Sequence, residues 1–206
     1  KFKLDTNIAR VIIKPFGKKP ENVLLGLLMV VAIFSMFMSN TATAAMFLAI
    51  LAPVLAVFKD DDKARIAFAL AIPIGANLGG MGTPIGTPPN AIAVKGLADL
   101  GYHISFGQWM LFAVPFMVVM LLFSWFLLIK FFPPTAKSIE LEIGGSFLKT
   151  AHAKIVYVTF TITILCWMFG DFVGLDSNVV AMIPIAVFSV TGVITPKDMG
   201  GMAWDV

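Results

Sequence analysis

The chain has 206 residues, of which 59% are hydrophobic and only 13% charged, and its mean hydropathy is +0.92. A water-soluble domain carries about a quarter of its residues as charges, so this composition excludes one and calls for a lipid bilayer as the surrounding medium. The net charge of +3 comes from short basic clusters between apolar runs, without the interleaved aromatics of a nucleic-acid surface, so no nucleic acid is expected as a partner. The one cysteine, Cys166, sits inside an apolar run and has no intrachain mate.

Residues 4–16 place Leu4, Ile8, Val11 and Ile12 on one side and Asp5, Arg10 and Lys14 elsewhere, the pattern of a helix lying in the membrane interface. Lys18-Lys19-Pro20-Glu21 ends it. With six cationic side chains in the first twenty residues and no sustained apolar stretch, this region does not read as a signal peptide.

Residues 21–58 pose a problem of length. The apolar run 23–58 as one straight helix would reach about 54 Å, against a hydrocarbon core of about 30 Å. Ser39-Asn40-Thr41-Ala42-Thr43 interrupts it near the middle, leaving two arms of about 25 Å. A re-entrant hairpin with a polar tip fits both observations. Charge supports it independently: with a hairpin, fourteen of the fifteen Lys and Arg residues fall on one side of the membrane and Lys95 alone on the other. A single crossing divides them seven against eight and erases the cytoplasmic bias of basic residues.

Residues 64–100 are expected to form one broken transmembrane helix. Ala64 to Ala76 and Ala91 to Leu100 are its halves, and Asn77 to Asn90, rich in Gly and Pro, is the break. Residues 106–132 make the cleanest full span, with Trp109 and Trp125 as candidate interface anchors. Residues 138–152 mix charge with apolar side chains and are expected along the surface. Two further crossings, 154–172 and 178–194, follow. Thr195, Pro196 and Asp198 then signal another helix start. A first residue that is not Met and a helix beginning close to Val206 lead us to expect a piece of a longer chain. The fold class is therefore all-α and multi-pass, in a cell membrane.

The two interruptions carry the chemistry. Hydroxyls, amides and released carbonyls at mid-membrane depth must line a polar cavity, because lipid cannot solvate them, and paired interruptions point to a transporter's binding site. Oxygen ligands suit a small hard cation such as Na⁺, while the N-terminus of the second arm suits a carboxylate. Neither element contains Lys or Arg, so a bound cation is the economical source of positive field for an anion. Either interruption alone is explained by helix packing. Both together, each carrying an Asn, favour binding.

Met38-Ser39-Asn40-Thr41-Ala42-Thr43-Ala44-Ala45-Met46, followed by Gly79-Gly80 and Gly86-Thr87-Pro88-Pro89-Asn90-Ala91-Ile92, closely resembles the first half of the divalent anion/sodium symporter family, which includes the INDY-type dicarboxylate carriers. The resemblance implies the first half of an inverted-repeat fold, homodimers, and symport of Na⁺ with a small divalent anion such as a C4-dicarboxylate or citrate. Ser35, Ser39, Asn40 and Gly86 would then be Na⁺ ligands. Asn40, Thr41, Thr87 and Pro88 would meet the substrate. The second Ser-Asn-Thr tip that such a fold needs does not occur after Ile92. The alternatives are an arsenite- or citrate-type relative, a proton-coupled carrier or an exchanger.

Other readings are weaker. No His-Glu-x-x-His or Gly-x-Ser-x-Gly occurs, so an intramembrane enzyme is not expected. His103 and His152 lack metal-ligand spacing. Asp60-Asp61-Asp62 reads as a solvated turn at the open end of the hairpin. If that end is cytoplasmic, cysteines introduced at Lys19 and Asp61 will both react with an impermeant thiol reagent from the cytoplasmic side, and reaction from opposite sides would end the hairpin account.

Overall fold

The computed structural model describes residues 4–55, 58–59, 61–136, 138–139 and 147–200, which form helices and connecting turns with no strand among them. They divide into two compact units, one within residues 5–145 and one within residues 146–206. In the first, α1 (Leu4–Ile13) runs into a 3₁₀ turn, Lys14–Phe16, and Gly17, at φ +71°, redirects the chain. Pro20 opens α2 (Pro20–Ser35) where no helical N–H is needed. Val23, Leu24, Leu27, Leu28, Val30 and Val31 are buried, so α2 is apolar nearly all round and runs through the centre of the unit.

Helix α2 is followed, after a turn over residues 36–39, by α3 (Asn40–Leu55) and then by α4 (Ala64–Gly80). The α2–α4 pair is the most extensive helix contact. Small residues let these two backbones approach: a Cβ on Gly79 would collide with the backbone of Ala32, and one on Gly75 would lie 3.0 Å from Leu28 O.

The observed break is narrower than the expected Asn77 to Asn90. Asn77, Leu78, Gly79 and Gly80 stay helical as the last turn of α4, held by packing against α2. Pro88 and Pro89 begin α5 (Pro88–Asp99), because the first positions of a helix need no N–H. The break proper is residues 81–87.

Helix α6 (Phe106–Phe131) starts with a capping box: Ser105 Oγ accepts from Gln108 N at 3.1 Å and Gln108 Oε1 accepts from Ser105 N at 3.0 Å. Its 26 residues extend about 39 Å and serve as a ruler. Trp125 Nε1 donates to Glu21 O (2.7 Å), level with the start of α2. Trp109 Nε1 donates to Met81 O (3.0 Å), level with the break. The two indoles, expected as interface anchors, thus spend their N–H groups on protein carbonyls. Leu111, Phe112, Phe116, Val119, Phe123 and Phe126 are exposed on α6, an apolar surface that water does not favour.

In the second unit, α7 (Ala151–Phe169) and α8 (Ser177–Val190) pack together, N-capped by Thr150 and Asp176. A 3₁₀ turn, Gly170–Val173, and Gly174 at φ +71° connect them. Helix α8 stops at Val190, short of the expected 194, with Gly192 at φ +66° in the turn that follows. Thr195 and Asp198 cap α9 (Pro196–Gly200) reciprocally, as their spacing predicts. Residues 140–146 of the expected surface segment 138–152 lie outside the described residues, and Ala151 and His152 belong to α7.

Asp62 departs from the expected solvated turn. It is 7% exposed, accepts from Ala64 N at 2.9 Å, and accepts from both the N–H and the hydroxyl of Thr135 beyond α6. Asp60 is outside the described residues. Burial by itself raises the Asp62 carboxyl, but the bonds from Thr135 and Ala64, with Lys59 nearby, outweigh it and hold the group below its ordinary value. A carboxylate lowered in the folded state stabilises fully above its unfolded value of about 4 and loses that contribution as pH falls through the folded one. Asp62→Ala should therefore cost about 1.5 to 3 kcal/mol at neutral pH, read as a lower melting temperature. The gap from wild type should close only in acid below about pH 4, and a constant gap across that range would contradict the assignment.

Candidate functional site: a hairpin tip against a helix break

Ser39 is the N-cap of α3. Its Oγ accepts from Ala42 N at 3.2 Å and its carbonyl from Thr43 N at 3.0 Å. The N–H groups of Asn40 and Thr41 have no acceptor among the described residues. With the Thr41 side chain exposed beside them, they form a small donor surface at the positive end of a 16-residue helix.

Asn40 turns its side chain the other way, into the unit. Its Nδ2 donates to Asn77 Oδ1 at 3.1 Å, and its Oδ1 lies 2.8 Å from Ser35 Oγ. Ser35, fully buried in the last turn of α2, also lies 2.7 Å from Ala76 O. One hydroxyl hydrogen faces two acceptors, and it cannot serve both fully. The cluster Ser35 Oγ, Asn40 Oδ1 and Ala76 O is therefore rich in oxygen and short of protons, the electrostatic condition that a small cation relieves.

The break closes onto this cluster. A Cβ on Gly80 would strike Asn40 Oδ1, and one on Gly86 would lie 2.5 Å from Gly80 O, so tip, helix end and break meet only because these positions lack side chains. Asn90, 8% exposed in the first turn of α5, donates through Nδ2 to Gly80 O and to Thr83 O, each at 2.8 Å, stapling the break across its width. The Thr83 hydroxyl donates to Met36 O and ties the break to the turn between α2 and α3.

Thr87 is the N-cap of α5 with extended backbone, φ −152° and ψ 147°, and its hydroxyl makes no capping bond. Pro88 and Pro89 have no N–H, and the Asn90 N–H already donates to Thr87 O at 3.1 Å. The Thr87 hydroxyl is thus a polar hydrogen that this helix start offers.

Of the residues singled out from sequence, Ser35 and Asn40 sit in the oxygen cluster and Gly86 adjoins it through Gly80. Ser39 and Thr41 lie on the exposed side of the tip, and Thr87 and Pro88 at the far edge of the break. Sequence reasoning missed Ala76, Asn77 and Thr83 as partners, and the stapling role of Asn90. A second amide in the broken helix, Asn77 besides Asn90, was the available signal, since a mid-membrane Asn needs a polar neighbour.

The chain has relatives among known transporters. Residues 3–206 match the family CitMHS, described as citrate transporter. The low-affinity phosphate transporter PHO90 of Saccharomyces cerevisiae is 32% identical over 199 residues, covering 92% of this chain and 22% of that protein. The inorganic phosphate transporter PHO87 of the same yeast is 29% identical over 97% of this chain and 22% of its own length. The sodium-dependent dicarboxylate transporter SdcS of Staphylococcus aureus is 27% identical over the whole of this chain and 45% of its own length. The chain thus spans less than half the length of each of these relatives. Through the match over residues 3–206, the chain belongs to the CitMHS citrate transporter family.

Proposed function

We propose that this chain supplies the Na⁺ site and half of the anion site of a secondary active symporter that couples Na⁺ entry to uptake of a small divalent anion. The observation that carries the reading is the proton-poor cluster of Ser35 Oγ, Asn40 Oδ1 and Ala76 O against the Gly80–Gly86 contact. Ser35 and Asn40 hold the cation, Gly86 adjoins it through Gly80, and Ser39 caps α3 at the rim of the site. Asn40 and Thr41 present N–H groups to one end of the anion, and Thr87 beside Pro88 presents a hydroxyl to it. The re-entrant placement of α2 and α3, the cell-membrane location and a homodimeric assembly belong to the same proposal.

The depth of the site is consistent with this. The break packs near Met117, whose Sδ is 3.1 Å from the position of a Cβ on Gly82. With Trp109 bonded to Met81 O as well, the break lies level with α6 from about 5 to about 16 Å past Phe106, between one end of that helix and its middle. A cation there faces a large desolvation penalty that a co-bound anion reduces, so each ligand favours the other.

The function of SdcS, sodium-dependent dicarboxylate transport, supports Na⁺ coupling and a dicarboxylate. Those of PHO90 and PHO87 favour phosphate as a second candidate anion. Succinate and phosphate should therefore both be tested as competitors of uptake.

Asn40→Ala removes the amide shared by the cluster and Asn77, so it should weaken Na⁺ activation of uptake and lower apparent anion affinity with it. Thr87→Val keeps the shape and deletes the hydroxyl. It should raise the anion KM about ten- to a hundredfold, leave Na⁺ binding without anion unchanged, and be rescued by Thr87→Ser. Uptake measured against Na⁺ and anion concentration separates the two effects. Unchanged Na⁺ dependence in folded Asn40→Ala would remove the cation from the tip.

A further inference from the structure

Thr43 lies one turn beyond Asn40 on α3. The spacing Asn40, Thr43, Phe47, Leu51 puts it on the inward face. Phe47 and Leu51 are buried there, and Phe47 meets Phe34 of α2 edge-on with centroids 5.5 Å apart. Thr43 is itself 0% exposed, yet its Oγ1 has no hydrogen-bond partner among the described residues.

A threonine inside a helix normally bonds back to the carbonyl four residues earlier. Thr163 does so to Thr159 O at 2.8 Å and Thr191 to Val187 O at 2.6 Å. For Thr43 that carbonyl is Ser39 O, which receives the Thr43 N–H and no bond from the hydroxyl. An orphaned buried hydroxyl destabilises the protein that contains it unless an occupant satisfies it. The chain's own atoms already cover Thr43 completely, so the occupant is as small as a dehydrated cation rather than a multi-atom anion.

We propose that Thr43 Oγ1 is a further oxygen ligand of the cation held at the hairpin tip, alongside Ser35 and Asn40. This rests on the Na⁺ reading above, and the test separates the two. The full-length polypeptide is melted in detergent in NaCl and in choline chloride, as wild type and with Thr43→Val, Thr43→Ala and Thr43→Ser, and Na⁺ activation of uptake is recorded for each.

Wild type should melt higher in Na⁺. Thr43→Val should melt at or above wild type in choline, because an unpaired hydroxyl is gone, yet lose most of the Na⁺-induced rise and need about tenfold more Na⁺ for half-maximal uptake. Thr43→Ser should retain the wild-type response. Should Val not be accommodated, Thr43→Ala is read by its Na⁺-induced rise alone. A full Na⁺-induced rise in the Val or Ala variant overturns the inference, since a structural water would then account for the hydroxyl. A Thr43→Val protein that melts lower in choline overturns it too, because the hydroxyl was then bonded within the protein. Absence of any Na⁺ effect on wild type removes the cation reading itself.

Discussion

The Asn40 carboxamide holds the two interrupted elements together. Its oxygen faces Ser35 at the end of α2, its nitrogen reaches Asn77 in the last turn of α4, and Gly80 packs directly on it. Three helix ends, each with unpaired backbone groups, therefore meet at one side chain. In an apolar surrounding such ends must be satisfied from within. Asn has both donors and an acceptor on one short side chain, so it can serve two neighbours that differ in polarity. Replacing it removes the bridge between Ser35 and Asn77 and leaves the buried Ser35 hydroxyl with Ala76 O alone.

In the proposed function, the same arrangement supplies the field that a site without Lys or Arg needs for an anion. Carbonyl and amide oxygens gather on the α2–α4 side of the tip, while free N–H groups and the positive end of α3 lie on the other. One small element thus has a cation-favouring and an anion-favouring face, separated by a single residue. In the proposed symporter coupling follows from electrostatics: each bound charge lowers the desolvation cost of the other, and linkage makes the effect reciprocal. Intact helices would bury these dipoles in their own hydrogen bonds and leave no such field.

Much of this was legible in the sequence, for identifiable reasons. The turn between α2 and α3 followed from a polar interruption in a long apolar run. Asn40 followed from an amide where apolar groups were due, and Ser35 from the family resemblance. The limits of the break did not, because Gly79 and Gly80 look like helix breakers until their contacts with Ala32 and Asn40 are seen, and Pro88-Pro89 reads equally as a break or a helix start. Asp62 was misjudged for a related reason. Its partner Thr135 is distant in sequence, and no local pattern reveals a tertiary hydrogen bond. Asn77, Thr83 and Asn90 became specific only with distances, although their amides and hydroxyl were already out of place in an apolar run.

The account's central claim is that hairpin tip and helix break form one cation-dependent unit joined through Asn40. Hydrogen–deuterium exchange of the full-length polypeptide in Na⁺ and in choline tests it most directly, because residues 36–43 and 81–87 report separately. The account predicts that Na⁺ slows exchange in both segments together and that Asn40→Ala abolishes the effect in both. Protection of one segment alone, or no difference between the two salts, would contradict it.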